Sequence, residues 1–118
     1  MAAKDELGRR GERLAERHLL ARGYRLIERN WRCQQGEIDL VVRDGDALVF
    51  VEVKTRTGIA FGHPFEAITP VKLARLRRLA VEWCTAHPGE RGRMRIDAVA
   101  VIAPRGAEAR VEHLMGVF

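Results

Sequence analysis

GEIDLVVRDGDALVFVEVKTR, residues 36–56, alternates apolar and polar side chains on either side of Asp44 and Gly45. Runs rich in Val, Ile and Phe with that period read as strands, and Asp-Gly favours the positive backbone angles of a tight turn. The stretch therefore predicts a hairpin with arms Glu37 to Arg43 and Ala47 to Thr55. With Asp44 and Gly45 as a two-residue loop, opposed positions sum to 89, so Asp39 faces Phe50 and Glu37 faces Glu52. A four-residue loop shifts the sum to 91 and sets Asp39 opposite Glu52. Either register puts Glu37, Asp39, Glu52 and Lys54 on one face, beside Leu48 and Phe50. The other face carries Ile38, Leu40, Val42, Ala47, Val49, Val51 and Val53, with no polar side-chain atom, and must be core.

Working outward, Leu7, Leu14, Ala15, His18 and Leu19 recur at helical spacing over residues 5–22, and Gly23 stands as the stop. A short strand through Leu26 and Ile27 should follow, then an irregular connection from Asn30 to Gly36. Thr69 and Pro70 announce a second helix, Thr as a cap and Pro tolerated in the first turn, running to about Ala86 before Pro88 and Gly89. Leu73, Leu76, Ala80 and Trp83 supply its apolar face. Met94 to Ile102 and Arg110 to Leu114 read as further strands. The order is helix, strand, hairpin, helix, strand, strand, an α/β chain whose 118 residues suit a single domain over 1–118.

With 47% apolar and 31% charged residues the chain can bury roughly two thirds of its unfolded surface. Disorder is not expected. No apolar run approaches the roughly 20 residues that span a bilayer, and the first residues, MAAKDELGRR, are charged where a signal peptide is apolar. A cytoplasmic protein with no membrane contact is expected. Cys33 and Cys84 stand alone, so neither a disulfide framework nor structural zinc is indicated. The 21 Lys and Arg outnumber 16 Asp and Glu, a net charge of +5 that suits an anionic partner. The excess lies in residues 1–32 and 60–95, which bracket an acidic segment. Arg9, Arg13 and Arg17 on the first helix and Lys72, Arg75 and Arg78 on the second suit a phosphate backbone, as they would also suit solvated helix faces.

Three acids and a lysine gathered on one sheet face repel unless something offsets the charge. A hard divalent cation would do so, since Mg²⁺ commonly takes one or two carboxylates plus waters and phosphate. Asp39 and Glu52 can supply that pair, with Lys54 aimed at the same volume to orient a water and stabilise charge on phosphate. The bland alternative is a solvated strand face whose acids pair with Lys54.

The blocks RRGERLAERHL (Arg9 to Leu19), GEIDLVV (Gly36 to Val42) and VFVEVKTR (Val49 to Arg56), with FGHPFEAITPVKLARLRRLA and RIDAVAV downstream, resemble the PD-(D/E)XK nuclease superfamily. The chain is similar in particular to the YraN family of uncharacterised bacterial proteins, related by motif to archaeal Holliday junction resolvases. The resemblance covers nearly the whole chain. It implies a restriction endonuclease-like fold, a mixed central sheet flanked by helices. It also implies a Mg²⁺- or Mn²⁺-dependent nuclease or nuclease-like protein acting on DNA, branched DNA included. Asp39 matches the motif's first acid, Glu52 and Lys54 its Glu-X-Lys, and Glu12 the helix glutamate that resolvase-like members add to the metal site. Ile38 stands where the superfamily's name has proline. A nucleic-acid-binding module or interaction protein with the same fold is the rival reading, and the oligomeric state is open, a dimer included.

Other residues carry weaker signals. Glu37 suits a supporting position at the strand end. Asp97 suits pairing with Arg95 or a helix arginine, and His18 a core or boundary position. His63, His87 and His113 show no metal spacing. Trp31, Phe61 and Phe65 can stack on bases or serve as core.

Overall fold

The structure, a computed structural model, describes residues 3–117. Its elements are α1 (Ala3–Ala21), β1 (Arg25–Cys33), β2 (Gly36–Asp44), β3 (Ala47–Arg56), a short 3-10 turn (Pro64–Ala67), α2 (Pro70–Ala86), β4 (Arg93–Ile102) and β5 (Arg110–Leu114). Among the described residues five strands form one sheet in the order β1-β2-β3-β4-β5. Only β3 and β4 run parallel, joined by the α2 crossover that such pairs need; the other neighbours are antiparallel. The mixed sheet flanked by helices is compatible with the expected restriction endonuclease-like architecture. No helix among the described residues is long and apolar enough to cross a membrane.

Helix boundaries follow their capping chemistry. Gly23, at φ 93°, ends α1 in a Schellman motif: its N–H bonds Leu20 O at 3.0 Å and the Tyr24 N–H bonds Leu19 O at 3.1 Å. Thr69 Oγ1 accepts from the Lys72 N–H at 3.2 Å, with Pro70 in the first turn of α2.

Both faces of the middle strands are core. Beneath α1, Ala15 and Leu19 pack on Leu40, Val42, Val49, Val51 and Val99. Beneath α2, Leu76, Leu79 and Trp83 pack on Val41, Leu48, Phe50 and Ile96. Trp83 is fully buried, stacks on His87 at 4.0 Å, meets Phe50 edge-on and donates its Nε1–H to Glu28 at 2.9 Å. The acid-bearing face of the hairpin is thus covered by α2 along most of its length.

Two local expectations are corrected. Residues 30–33 are strand, and only Gln34 and Gln35 turn the chain, because β1 keeps its pairing with β2 as far as Cys33 opposite Gly36. The β2–β3 hairpin turns at Gly45 and Asp46, one residue later than expected. Asp44 opposes Ala47, and the register sum is 91. Gly45 takes the positive φ, 58°, at the first loop position, and Asp44 stays in the strand where Arg95 Nη1 holds its carboxylate at 3.0 Å.

Candidate functional site

The site exists because β2 and β3 part. Their ladder runs from Asp44 opposite Ala47 to Leu40 opposite Val51 and stops, while β3 continues beside β4 to Arg56 opposite Ile102. Asp39, next in line to face Glu52, instead turns its carboxylate into the ladder and accepts the Val53 N–H at Oδ2, 2.8 Å away. Side-chain alternation slips at the same level. Asn30 of β1 sits at φ 50°, and Ile38 joins the cluster beneath α2 whereas Leu40 joins the one beneath α1. Ile38 therefore does not share the face of Leu40 and Val42, because the bent strand rotates it across the sheet.

The parted strands open a cavity of about 320 Å³. Glu37, Asp39, Glu52 and Lys54 line it from the hairpin, Lys72 and Arg75 from α2, and Leu73, Leu76 and Leu79 give it an apolar wall. Asp39 and Glu52 thus come together with Lys54 as the register predicted. Burial, and next to it the neighbouring Glu52 carboxylate, push the Asp39 carboxyl up to about 8, against the opposing Val53 hydrogen bond. Burial also raises the Glu52 carboxyl, opposed by Lys54, whose Nζ lies 3.4 Å from Glu52 Oε1, and by Lys72 and Arg75.

At neutral pH Asp39 therefore holds its proton, and a bound cation would take that proton's place. The donor set tests which cation fits. The cavity offers the carboxylates of Asp39 and Glu52, oxygen donors of a kind that suits Mg²⁺ or Mn²⁺ completed by water and phosphate and does not suit a closed structural site.

Glu12 stands apart. Its Oε1 accepts from Asn30 Nδ2 at 2.8 Å, in a shallow cleft that it shares with Arg9 and Arg13 on the α1 side. A second depression on that side is bordered by both Glu12 and Lys54, so the two faces meet at Lys54. Glu37 pairs with Arg32 at 3.1 Å at the cavity edge. Arg78 is exposed on α2, outside the cavity lining. His63 caps the 3-10 turn and pairs with Glu112, His87 stacks on Trp83, and His113 bonds Asp97 at 2.7 Å.

Gly11 was not singled out by its sequence, yet it sets where Glu12 stands. A Cβ there would lie 1.8 Å from Thr55 Oγ1, so α1 can touch β3 only because position 11 has no side chain. A glycine inside a helical pattern is the available signal for such an approach. Asp97 pairs with Arg95 as expected, but the bonds that extend this pair to Asp44, His113 and Gly116 were missed, since those partners lie far from it in sequence.

Comparison with known proteins follows this geometry. The model of the uncharacterised protein family UPF0102 matches residues 11–101, a span that holds every residue of the cavity. The chain is 60% identical over 117 residues to a UPF0102 protein of Beutenbergia cavernae, covering 99% of each chain. It is 56% identical over 112 residues to one of Clavibacter michiganensis subsp. michiganensis, covering 95% of each. With a UPF0102 protein of Frankia alni it shares 53% identity over 118 residues, all of this chain and 98% of the relative.

Proposed function

The chain belongs to the uncharacterised protein family UPF0102, and from that premise and the geometry of the cavity we propose that it is a divalent-metal-dependent nuclease of the PD-(D/E)XK type acting on DNA. One observation carries the reading. Two half-buried carboxylates, Asp39 and Glu52, line one cavity with Lys54 and with the basic side chains Lys72 and Arg75.

Asp39 and Glu52 would hold Mg²⁺ or Mn²⁺ between β2 and β3. The chemistry such a cation supplies when bound is charge neutralisation at a phosphate and a more acidic water. Lys54, fixed two residues beyond Glu52 on the same face of β3, orients the attacking water and stabilises charge on the phosphate. Water adds to phosphorus, the bond to the leaving oxygen breaks, and that oxygen takes up a proton. Lys72 and Arg75 bind flanking phosphates. Glu12, whose Oε1 accepts from Asn30, has its second carboxylate oxygen to offer as a further ligand.

The test is cleavage of junction, flap and linear duplex DNA with Mg²⁺ or Mn²⁺. Lys54→Ala should lose turnover about 100-fold or more while DNA binding stays within about twofold, because the lysine acts on charge that develops in the transition state. Asp39→Asn should lose metal affinity as well. The rival reading is a non-catalytic nucleic-acid-binding module with the same fold. If the wild type binds metal and DNA but cleaves none of these substrates, and both variants behave like it, the rival replaces the nuclease.

A further inference from the structure

The segment 57–69 joins the end of β3 to the start of α2, and the elements at both of its ends border the cavity, β3 through Lys54 and α2 through Lys72. Near its start the chain makes a tight turn, closed by the Gly62 N–H bonding Ile59 O at 3.0 Å. Phe61 stands at its tip, 104% exposed, with Ile59 exposed beside it.

The base of this tip is not loose. Gly62, at φ 109°, leads into His63, which caps the 3-10 turn: His63 Nδ1 accepts from the Phe65 N–H at 3.1 Å and Glu66 Oε2 from the His63 N–H at 2.9 Å. The His63 ring also pairs with Glu112 on β5. A ring held out in water on a hydrogen-bonded base loses the hydrophobic gain that burial would bring, without the compensation of chain freedom. The other two aromatic candidates are engaged, Phe65 against His63 at 5.0 Å and Trp31 against His87 at 6.2 Å.

We propose that Phe61 is a stacking residue for an unpaired base, and that the nucleic acid this site takes therefore presents an unstacked step, such as a flap, gap or branch, in preference to continuous duplex. This rests on the nucleic-acid reading above. Bases in a continuous duplex hide their faces in the stack, whereas an unpaired base offers one to an aromatic ring. Lys54, exposed Arg56 and exposed Lys72 flank the segment with positive charge for the adjoining phosphates, which suits a nucleic acid better than an uncharged apolar partner.

The experiment compares two DNAs of one sequence, a continuous duplex and a flapped form with 2-aminopurine at the first unpaired position, bound to wild type, Phe61→Ala and Phe61→Trp. Expected is a loss of about 5- to 100-fold in affinity of Phe61→Ala for the flapped DNA only, with duplex binding within about twofold. Phe61→Trp should retain both affinities and, like wild type, change the 2-aminopurine fluorescence, which Phe61→Ala should not. An exposed side chain can be removed without unfolding, so the thermal midpoint of Phe61→Ala should match wild type. Equal loss on both DNAs, or no loss on either, overturns the stacking role while leaving the nucleic-acid reading in place. A wild-type dimer that dissociates on Phe61→Ala overturns it too, since the tip would then be a contact between copies. Failure of the wild type to bind either DNA at low salt sinks the nucleic-acid reading, and this inference with it.

Discussion

At the scale of single residues, Asp39 shows what assembling the site costs. Its carboxyl, about 3.8 when exposed, is pushed up to about 8 by burial and by Glu52. The folded chain therefore binds the Asp39 proton more tightly than the unfolded chain does. The stability this contributes is complete below the unfolded value and is lost as pH rises toward about 8. Asp39→Asn keeps an oxygen for the Val53 N–H and carries no charge. In thermal unfolding it should gain on the wild type steadily between about pH 5 and pH 8. Mg²⁺ should narrow the gap at pH 8 by stabilising the wild type alone. Midpoints that run parallel across that range would mean the carboxylate is not strained in the fold. His18 has the opposite sign: burial, then Arg22 and His113, lower its proton affinity, so its contribution is lost as pH falls below about 6.5.

Among the elements, α1 is placed by a glycine and α2 by its cap. Gly8 and Gly11 both lie inside α1, but only Gly11 meets another element, where an added Cβ would strike Thr55 of β3. Helix propensity favours alanine over glycine at both positions. Gly8→Ala, with nothing within 4 Å of the new methyl, should raise unfolding free energy by about 0.8–1 kcal/mol in urea. Gly11→Ala should lower it by about 1–3 kcal/mol, since the helix must rise off the strand. If both variants stabilise equally, α1 shifts freely and Glu12 is not held in place by that contact. The helices, the Gly23 stop and the Thr69 cap were legible from the order of residues, because capping is chemistry between near neighbours. The hairpin turn was legible only to within one residue, since Asp44 is kept in β2 by Arg95, 51 positions away.

Over the whole molecule, one buried carboxylate ties together segments that α1, the hairpin and α2 would otherwise leave separate. Asp97 is fully buried in β4 and accepts from Arg95 Nε at 2.9 Å, from the Gly116 N–H at 3.0 Å and from His113 Nε2 of β5 at 2.7 Å. Arg95 in turn reaches Asp44 at the end of β2 and the hydroxyl of Tyr24, the residue before β1. Burial pushes the Asp97 carboxyl up, but the bonds from His113, Arg95 and Gly116 outweigh it and hold the carboxyl below its usual range. Asp97→Ala leaves a guanidinium and an imidazole buried around an empty position. Urea denaturation should show a loss of about 3–5 kcal/mol, far more than exposed acids such as Asp46 or Glu108 can give. A loss under about 1 kcal/mol would mean that water reaches the network.

The order of residues by itself determined the number and order of strands and helices, the basic segments on either side of an acidic hairpin, and the convergence of Asp39, Glu52 and Lys54, but not where β1 ends or where the hairpin turns. Each of these follows from side-chain periodicity or from chemistry between neighbours, and an even hairpin register keeps the acids together whichever loop forms. Only the tertiary structure decided that β2 and β3 part at Asp39 to make a cavity, that Glu12 bonds Asn30 on the other side of that gap, and that Phe61 alone of the three aromatic candidates stands in water. Those outcomes depend on what packs above each strand, through contacts between residues far apart in the chain that no local pattern encodes.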